Sequence, residues 1–82
     1  MTKKTKNYDR IKELINGFLN ESLDIDEVLK LWPNQEKDME KREGYLVHGL
    51  LHFKMERHIH EKDKKYEQFE REAIKDLFDR LV

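Results

Sequence analysis

The sequence predicts an all-α fold, a small three- to four-helix bundle with a long central third helix. Apolar residues recur with the 3.6-residue period of an amphipathic helix in four segments. No segment alternates polar and apolar residues for long enough to indicate a strand. One proline and three glycines in 82 residues leave few positions that interrupt a helix.

Length and composition predict a single domain with one hydrophobic core. At 82 residues the chain is near the lower end of what folds alone, and 43% of its residues are charged against 37% hydrophobic. The charges nearly cancel, at a net charge of −1, which favours a folded domain with a charged surface. We expect a flexible basic N-terminal tail over residues 1–7 and one helical domain over residues 8–82.

The first predicted helix spans residues 8–20, and the second follows Asp24, which can cap its N-terminus. Gly17 lies inside the first helix, where a close crossing by a neighbouring helix is expected to offset its cost. Pro33 ends the second helix and restricts Trp32 to extended geometry, so we expect the indole to fold over the core. The predicted stripes comprise Tyr8, Ile11, Leu14, Ile15, Phe18 and Leu19, then Ile25, Val28 and Leu29.

The third predicted helix begins near Asn34, its expected N-cap, and has a polar first half that extends through Glu43. Its second half is apolar on two faces, as is typical of a helix that sits at the centre of a bundle or binds a partner. The first face comprises Met39, Leu46, Leu50 and Phe53. The second face comprises Tyr45, His48, His52, Met55 and Ile59.

The fourth predicted helix spans residues 64–81, with Asp63 as its N-cap. One unbroken rod with the third helix is the alternative. Glu67 and Arg71, spaced at i, i+4, are expected to pair on its outer side. Its predicted core stripe comprises Tyr66, Phe69, Ala73, Ile74, Leu77, Phe78 and Leu81.

Two histidines four residues apart are the sharpest local signal for chemistry. His48 and His52 project to one side of a helix and Glu56 continues that line, so the three could hold a metal ion. Gly49 stands where a helical metalloprotease signature has its catalytic glutamate, which removes that chemistry. Because the two histidines supply two ligands where a metal site needs three or four, we expect both to pack beside Tyr45, with the metal site as the alternative.

Charge is distributed unevenly along the chain. Residues 54–65 hold five basic and three acidic residues, whereas residues 21–43 hold eight acidic and four basic ones. The basic segment, together with Lys3, Lys4 and Lys6, could meet a phosphate backbone. The overall charge of −1 lacks the basic footprint of most nucleic-acid binders, so nucleic acid is an unlikely partner.

Catalysis, cofactors and membranes find little support in the sequence. The chain has no glycine-rich phosphate loop, no nucleophile elbow and one serine, Ser22, and a bundle this small is not expected to enclose a pocket of about 300 Å³. No cysteine and no apolar stretch of about 18 residues is present, which predicts a cytoplasmic protein with no membrane partner. No cofactor is predicted.

The leading functional prediction is a small non-enzymatic protein-interaction module of bacterial or phage style, of inhibitor, immunity or regulatory type. It would bind a partner protein through the second face of the third helix, with Trp32 as a further anchor and a homodimer as a variant. The alternative is a metal- or ligand-binding bundle that uses His48 and His52. The third hypothesis is that the chain is a weak nucleic-acid binder.

Overall fold

A computed structural model describes residues 6–81 of the chain, which contain five α-helices and one 3₁₀-helix. Within these residues no strand is present, which confirms the all-α prediction. The helices are α1 (Tyr8–Leu19), α2 (Ile25–Lys30), a 3₁₀-helix (Glu36–Asp38), α3 (Lys41–Met55), α4 (Arg57–Lys62) and α5 (Lys64–Asp79). Residues 1–5, which hold Lys3, Lys4 and most of the predicted tail, and residue 82 lie outside the described range.

Helices α3 and α5 form the centre of the bundle, because each packs against three others: α3 against α2, α4 and α5, and α5 against α1, α3 and α4. Helix α1 also packs against α2. The predicted stripes of α1 and α2 form one core with Leu46, Leu50 and Phe53 of the predicted first face. Met39, which was predicted on that face, precedes α3 and lies outside the core. No helix of residues 6–81 is long and apolar enough to cross a membrane. The buried apolar residues are Ile11, Leu14, Ile15, Phe18, Ile25, Val28, Leu46, Leu50, Phe53, Ile74, Phe78 and Leu81.

The C-terminus of α1 ends in a Schellman motif that also explains Gly17. Ser22 N–H donates to the Gly17 carbonyl at 2.8 Å, and Glu21 takes the left-handed conformation with φ 64°. A Cβ on Gly17 would lie 2.6 Å from Leu23 Cδ1. The close approach that requires glycine therefore comes from the α1–α2 connection, not from a crossing helix.

The prediction that the third helix begins near Asn34 is wrong, since α3 begins at Lys41. Asn34 is buried, and its Nδ2 donates to the Lys6 carbonyl at 2.8 Å and to Glu43 at 3.0 Å. Asn7 Nδ2 in turn donates to Asn34 Oδ1 at 2.7 Å. These bonds turn the Asn34 amide inward, away from a capping position, and they hold Lys6 and Asn7 of the predicted tail against the domain.

Two expectations for the C-terminal half are decided by local geometry. Helix α3 ends at Met55, and Glu56 (φ −100°, ψ 17°) separates it from α4, so no unbroken rod forms. Asp63 caps α5 as predicted, accepting hydrogen bonds from the Lys65 and Tyr66 backbone N–H groups at 3.1 Å.

The predicted burial of Phe69 and Ala73 in the core stripe of the last helix is wrong, because both side chains are exposed.

Candidate functional site

The outer face of α3 is formed by Tyr45, His48, His52 and Met55, four residues of the predicted second face. These positions fall within an arc of about 80° around the helix. All four side chains are exposed, with Tyr45 at 54% and Met55 at 74%. Exposed apolar side chains such as Tyr45 and Met55, grouped on one helix face, are a feature of sites that contact another molecule.

Phe69 of α5 extends this surface, although the sequence pattern assigned it to the core. It is 66% exposed and directly precedes Glu70, which contacts His52 of the outer face. Around α5 it lies about 160° from Arg71, which contacts α1. Phe69 therefore projects away from α1, on the flank of α5 nearer the outer face.

The remaining two predicted partner-binding residues are placed differently. Ile59 lies on the separate helix α4, and its exposure of 36% is lower than that of Tyr45 or Met55. Trp32 packs against the core, as expected for its indole, and its Nε1 donates to Glu43 Oε2 at 2.9 Å. Glu43 is about 140° from His48 around α3, so Trp32 does not join the outer face.

A cluster of titratable side chains lies beside the outer face, where α3, α4 and α5 meet. His52 Nδ1 is 2.9 Å from Glu56 Oε1 and 3.1 Å from Glu70 Oε2. Ligand atoms of these three residues all lie within 4.8 Å of one another. The side chain of His52 is 54% exposed, whereas those of Glu56 and Glu70 are 20% and 12% exposed. The cluster thus has one open side.

Two further residues hold the carboxylates from within. His60, which is 3% exposed, places Nε2 in a short hydrogen bond with Glu70 Oε1. Tyr66 donates its hydroxyl proton to Glu56 at 2.9 Å, and this bond raises the pKa of Tyr66 above its ordinary value. Burial and the charge of Glu70 add to that rise. Tyr66 therefore remains a protonated donor at neutral pH.

The structure brings together two of the three predicted metal ligands. His52 and Glu56 share the cluster, but His48 lines a separate surface groove of about 280 Å³ with Met39, Val47 and Leu51. Sequence reasoning missed Glu70 and His60. Spacing along one helix can place His52 beside Glu56, but Glu70 joins them only through the tertiary packing of α5.

Two of the five basic residues in segment 54–65 form ion pairs with acidic residues of α2 and its N-cap. Lys54 and Arg57 lie 3.1 and 3.0 Å from the Asp26 carboxylate of α2, and Arg57 lies 3.5 Å from Asp24. Hydrogen bonding by Lys54 and then Arg57 holds the pKa of Asp26 below its usual range. Two cations of the predicted phosphate-binding patch thus neutralise neighbouring carboxylates.

A surface groove of about 500 Å³ lies between α1 and α5. The groove is open to solvent along the surface, so it is not the enclosed pocket that the size argument concerns. The lining residues offer amides and charged groups but no serine, cysteine or histidine. They are Asn16, Leu19, Asn20, Gln68, Arg71, Glu72 and Lys75.

No protein-family model matches the chain, and no curated protein or solved structure matches it either.

Proposed function

We propose that this chain is a non-enzymatic protein-interaction module, of inhibitor, immunity or regulatory type, that binds a partner protein through the outer face of α3. The observation that carries the proposal is the exposure of Tyr45 and Met55 on one flank of the central helix. The core is already complete without them. Their exposure therefore favours a role in binding over a role in folding.

The chemistry of the surface favours a partner with an apolar contact surface. Aromatic residues and methionine are enriched in protein interfaces, and the outer face together with Phe69 supplies three such exposed side chains, Tyr45, Met55 and Phe69. His48 and His52 add polar atoms that can orient the contact. Phe69 replaces Trp32 as the second anchor, because Trp32 is engaged with Glu43.

The first experiment is affinity capture from the native cell, with the full chain as bait and the captured protein then purified for a direct titration. We expect Met55→Glu and Phe69→Glu each to weaken binding at least tenfold, because a carboxylate would be desolvated in the contact. Leu31→Glu is the matched control. Like Met55 and Phe69, Leu31 is an exposed apolar residue, with 43% of its surface exposed, but it lies at the C-terminal end of α2.

Two results would count against the proposal. Equal loss of binding in the Leu31 control would indicate a different surface or a general effect of charge. Sedimentation equilibrium that gives a dimer in the wild type and a monomer in Met55→Glu would assign the outer face to self-association. Circular dichroism of every variant checks that the helices are retained.

A further inference from the structure

The cluster of His52, Glu56 and Glu70 has the composition and spacing of a metal site. One imidazole nitrogen faces two carboxylate oxygens that come from different helices, at 2.9 and 3.1 Å. Tetrahedral Zn²⁺ holds nitrogen and oxygen ligands at about 2.1 Å, which sets neighbouring ligand atoms about 3.4 Å apart. The two nitrogen–oxygen distances need to lengthen by only a few tenths of an ångström to match this geometry, and the two carboxylate oxygens already lie within 4.8 Å of each other.

The charge balance of the cluster also favours a cation. Two carboxylates, both mostly buried, approach the same nitrogen of His52. Within residues 6–81, neither Glu56 nor Glu70 has a lysine or arginine within 4.0 Å, although the chain carries 17 such residues. By contrast Asp26, a more exposed carboxylate, has two. A divalent ion would supply the positive charge that the carboxylate pair lacks.

The residues around the cluster resemble the outer shell of a metal site. Metal ligands in proteins are oriented by hydrogen bonds from neighbouring groups. His60 bonds Oε1 of Glu70, the oxygen that does not contact His52. The Tyr66 hydroxyl lies 2.9 and 3.0 Å from the two oxygens of Glu56, of which Oε1 also contacts His52. Each carboxylate is thus held on its inner side, while the exposed imidazole of His52 leaves one side open to an entering ion.

We propose that His52, Glu56 and Glu70 bind one divalent transition-metal ion such as Zn²⁺. Imidazole with carboxylates suits zinc, manganese, iron or cobalt, whereas Ca²⁺ and Mg²⁺ prefer oxygen ligands alone. Three protein ligands leave a coordination position for water or for a group of a bound partner. This ligand set retains His52 and Glu56 of the sequence hypothesis and replaces His48 by Glu70.

Coordination through His52 uses the lone pair of Nδ1. That nitrogen therefore carries no proton in the metal-bound protein, and the ring proton lies on Nε2.

The test is calorimetric titration of the full chain, stripped by a chelator, with ZnCl₂. We expect one ion per chain, and at least a tenfold loss of affinity in His52→Ala and in Glu70→Gln. His48→Ala is the matched control, an exposed histidine one turn away on the same helix, and it should bind like the wild type. Co²⁺ provides a second readout, since its visible absorption reports nitrogen and oxygen coordination directly.

If a variant fails to fold, nuclear magnetic resonance of the wild type provides an independent test, because the imidazole signals of the four histidines can be followed separately. Stoichiometric Zn²⁺ should shift the imidazole signals of His52 before those of His48 and His58. Simultaneous shifts of all exposed histidines, equal loss of affinity in His48→Ala, or no binding at about 100 μM Zn²⁺ would each overturn the proposal.

Discussion

The indole Nε1 of Trp32 donates a 2.9 Å hydrogen bond to Oε2 of Glu43, a carboxylate with no exposed surface. The Asn34 amide donates to both oxygens of the same group at 3.0 Å. No lysine or arginine pairs with Glu43 among residues 6–81, and the side-chain donors to this buried carboxyl group are the neutral Trp32 and Asn34. The connection between α2 and α3 is thereby attached to the first turn of α3.

Glu43→Ala should therefore destabilise the fold strongly. The substitution leaves the Trp32 and Asn34 donors without their partner inside the protein, and such groups cost about 1–3 kcal/mol each. We expect the free energy of unfolding to fall by about 3 kcal/mol, measured by urea denaturation. The control is Glu40→Ala, because the exposed Glu40 side chain makes no capping hydrogen bond. A loss of under about 1 kcal/mol in Glu43→Ala would contradict the assigned role.

Two glycines should respond to alanine in opposite directions. Nothing lies within 4 Å of a Cβ placed on Gly44, so Gly44→Ala should gain about 0.5–1 kcal/mol from helix propensity. At Gly17 the same Cβ meets Leu23 Cδ1 at 2.6 Å. Gly17→Ala should therefore be less stable than the wild type. Thermal unfolding of the two variants side by side provides the measurement, and equal shifts would disprove the contact with Leu23.

The ion pairs of Asp26 should make stability depend on pH in the acid range. Because Lys54 and Arg57 hold its pKa in the folded state below that of the unfolded chain, the contribution is fully present above the ordinary carboxyl value of about 3.9. It is lost as the pH falls through the lowered folded value. Urea midpoints of wild type and Asp26→Asn should differ at neutral pH and converge as the solution is acidified below about pH 4.

Asp9→Asn controls for the general effect of removing a carboxylate. Asp9 is exposed at the start of α1 and has no ion-pair partner in residues 6–81. A gap between wild type and Asp26→Asn that stays constant down to low pH would show that the ion pairs do not contribute.

The elements of this fold were predictable where the signal is local. The Asp24 and Asp63 caps and the buried stripe of α1 follow from residue type and helical period, and all are observed. Glu43 and Phe69 depart from the pattern in opposite ways, one charged and buried, the other aromatic and exposed. Their positions depend on which segments pack together. Segments that are distant in sequence determine that packing, and the periodicity of one helix carries no information about it.

The candidate site was predictable only in part for the same reason. His52 and Glu56 are four residues apart and could be paired on a helix from sequence alone. Glu70 reaches them because α5 packs antiparallel to α3, with Leu77 against Gly49 at one end and Tyr66 bonded to Glu56 at the other. No spacing rule connects positions 18 residues apart on different helices.

Arg71 was expected on the outer side of the last helix, yet it lies over the core. Its guanidinium carbon is 4.6 Å from the centre of the Phe18 ring, and Nη1 donates to the Phe18 carbonyl at 2.8 Å. A planar guanidinium can stack on the ring and reach this carbonyl at the C-terminal end of α1, whereas an ammonium cannot do both.

Arg71→Lys should therefore lower the free energy of unfolding by about 1–2 kcal/mol despite the retained charge. Arg80→Lys is the matched control: the Arg80 side chain is 69% exposed and, among residues 6–81, its ion-pair partner is the exposed Asp76, so its loss should stay within about 0.5 kcal/mol. Chemical denaturation of both variants in the same buffer makes the comparison. Equal effects would mean that Arg71 acts through charge alone, and the stacking over Phe18 would then have no energetic role.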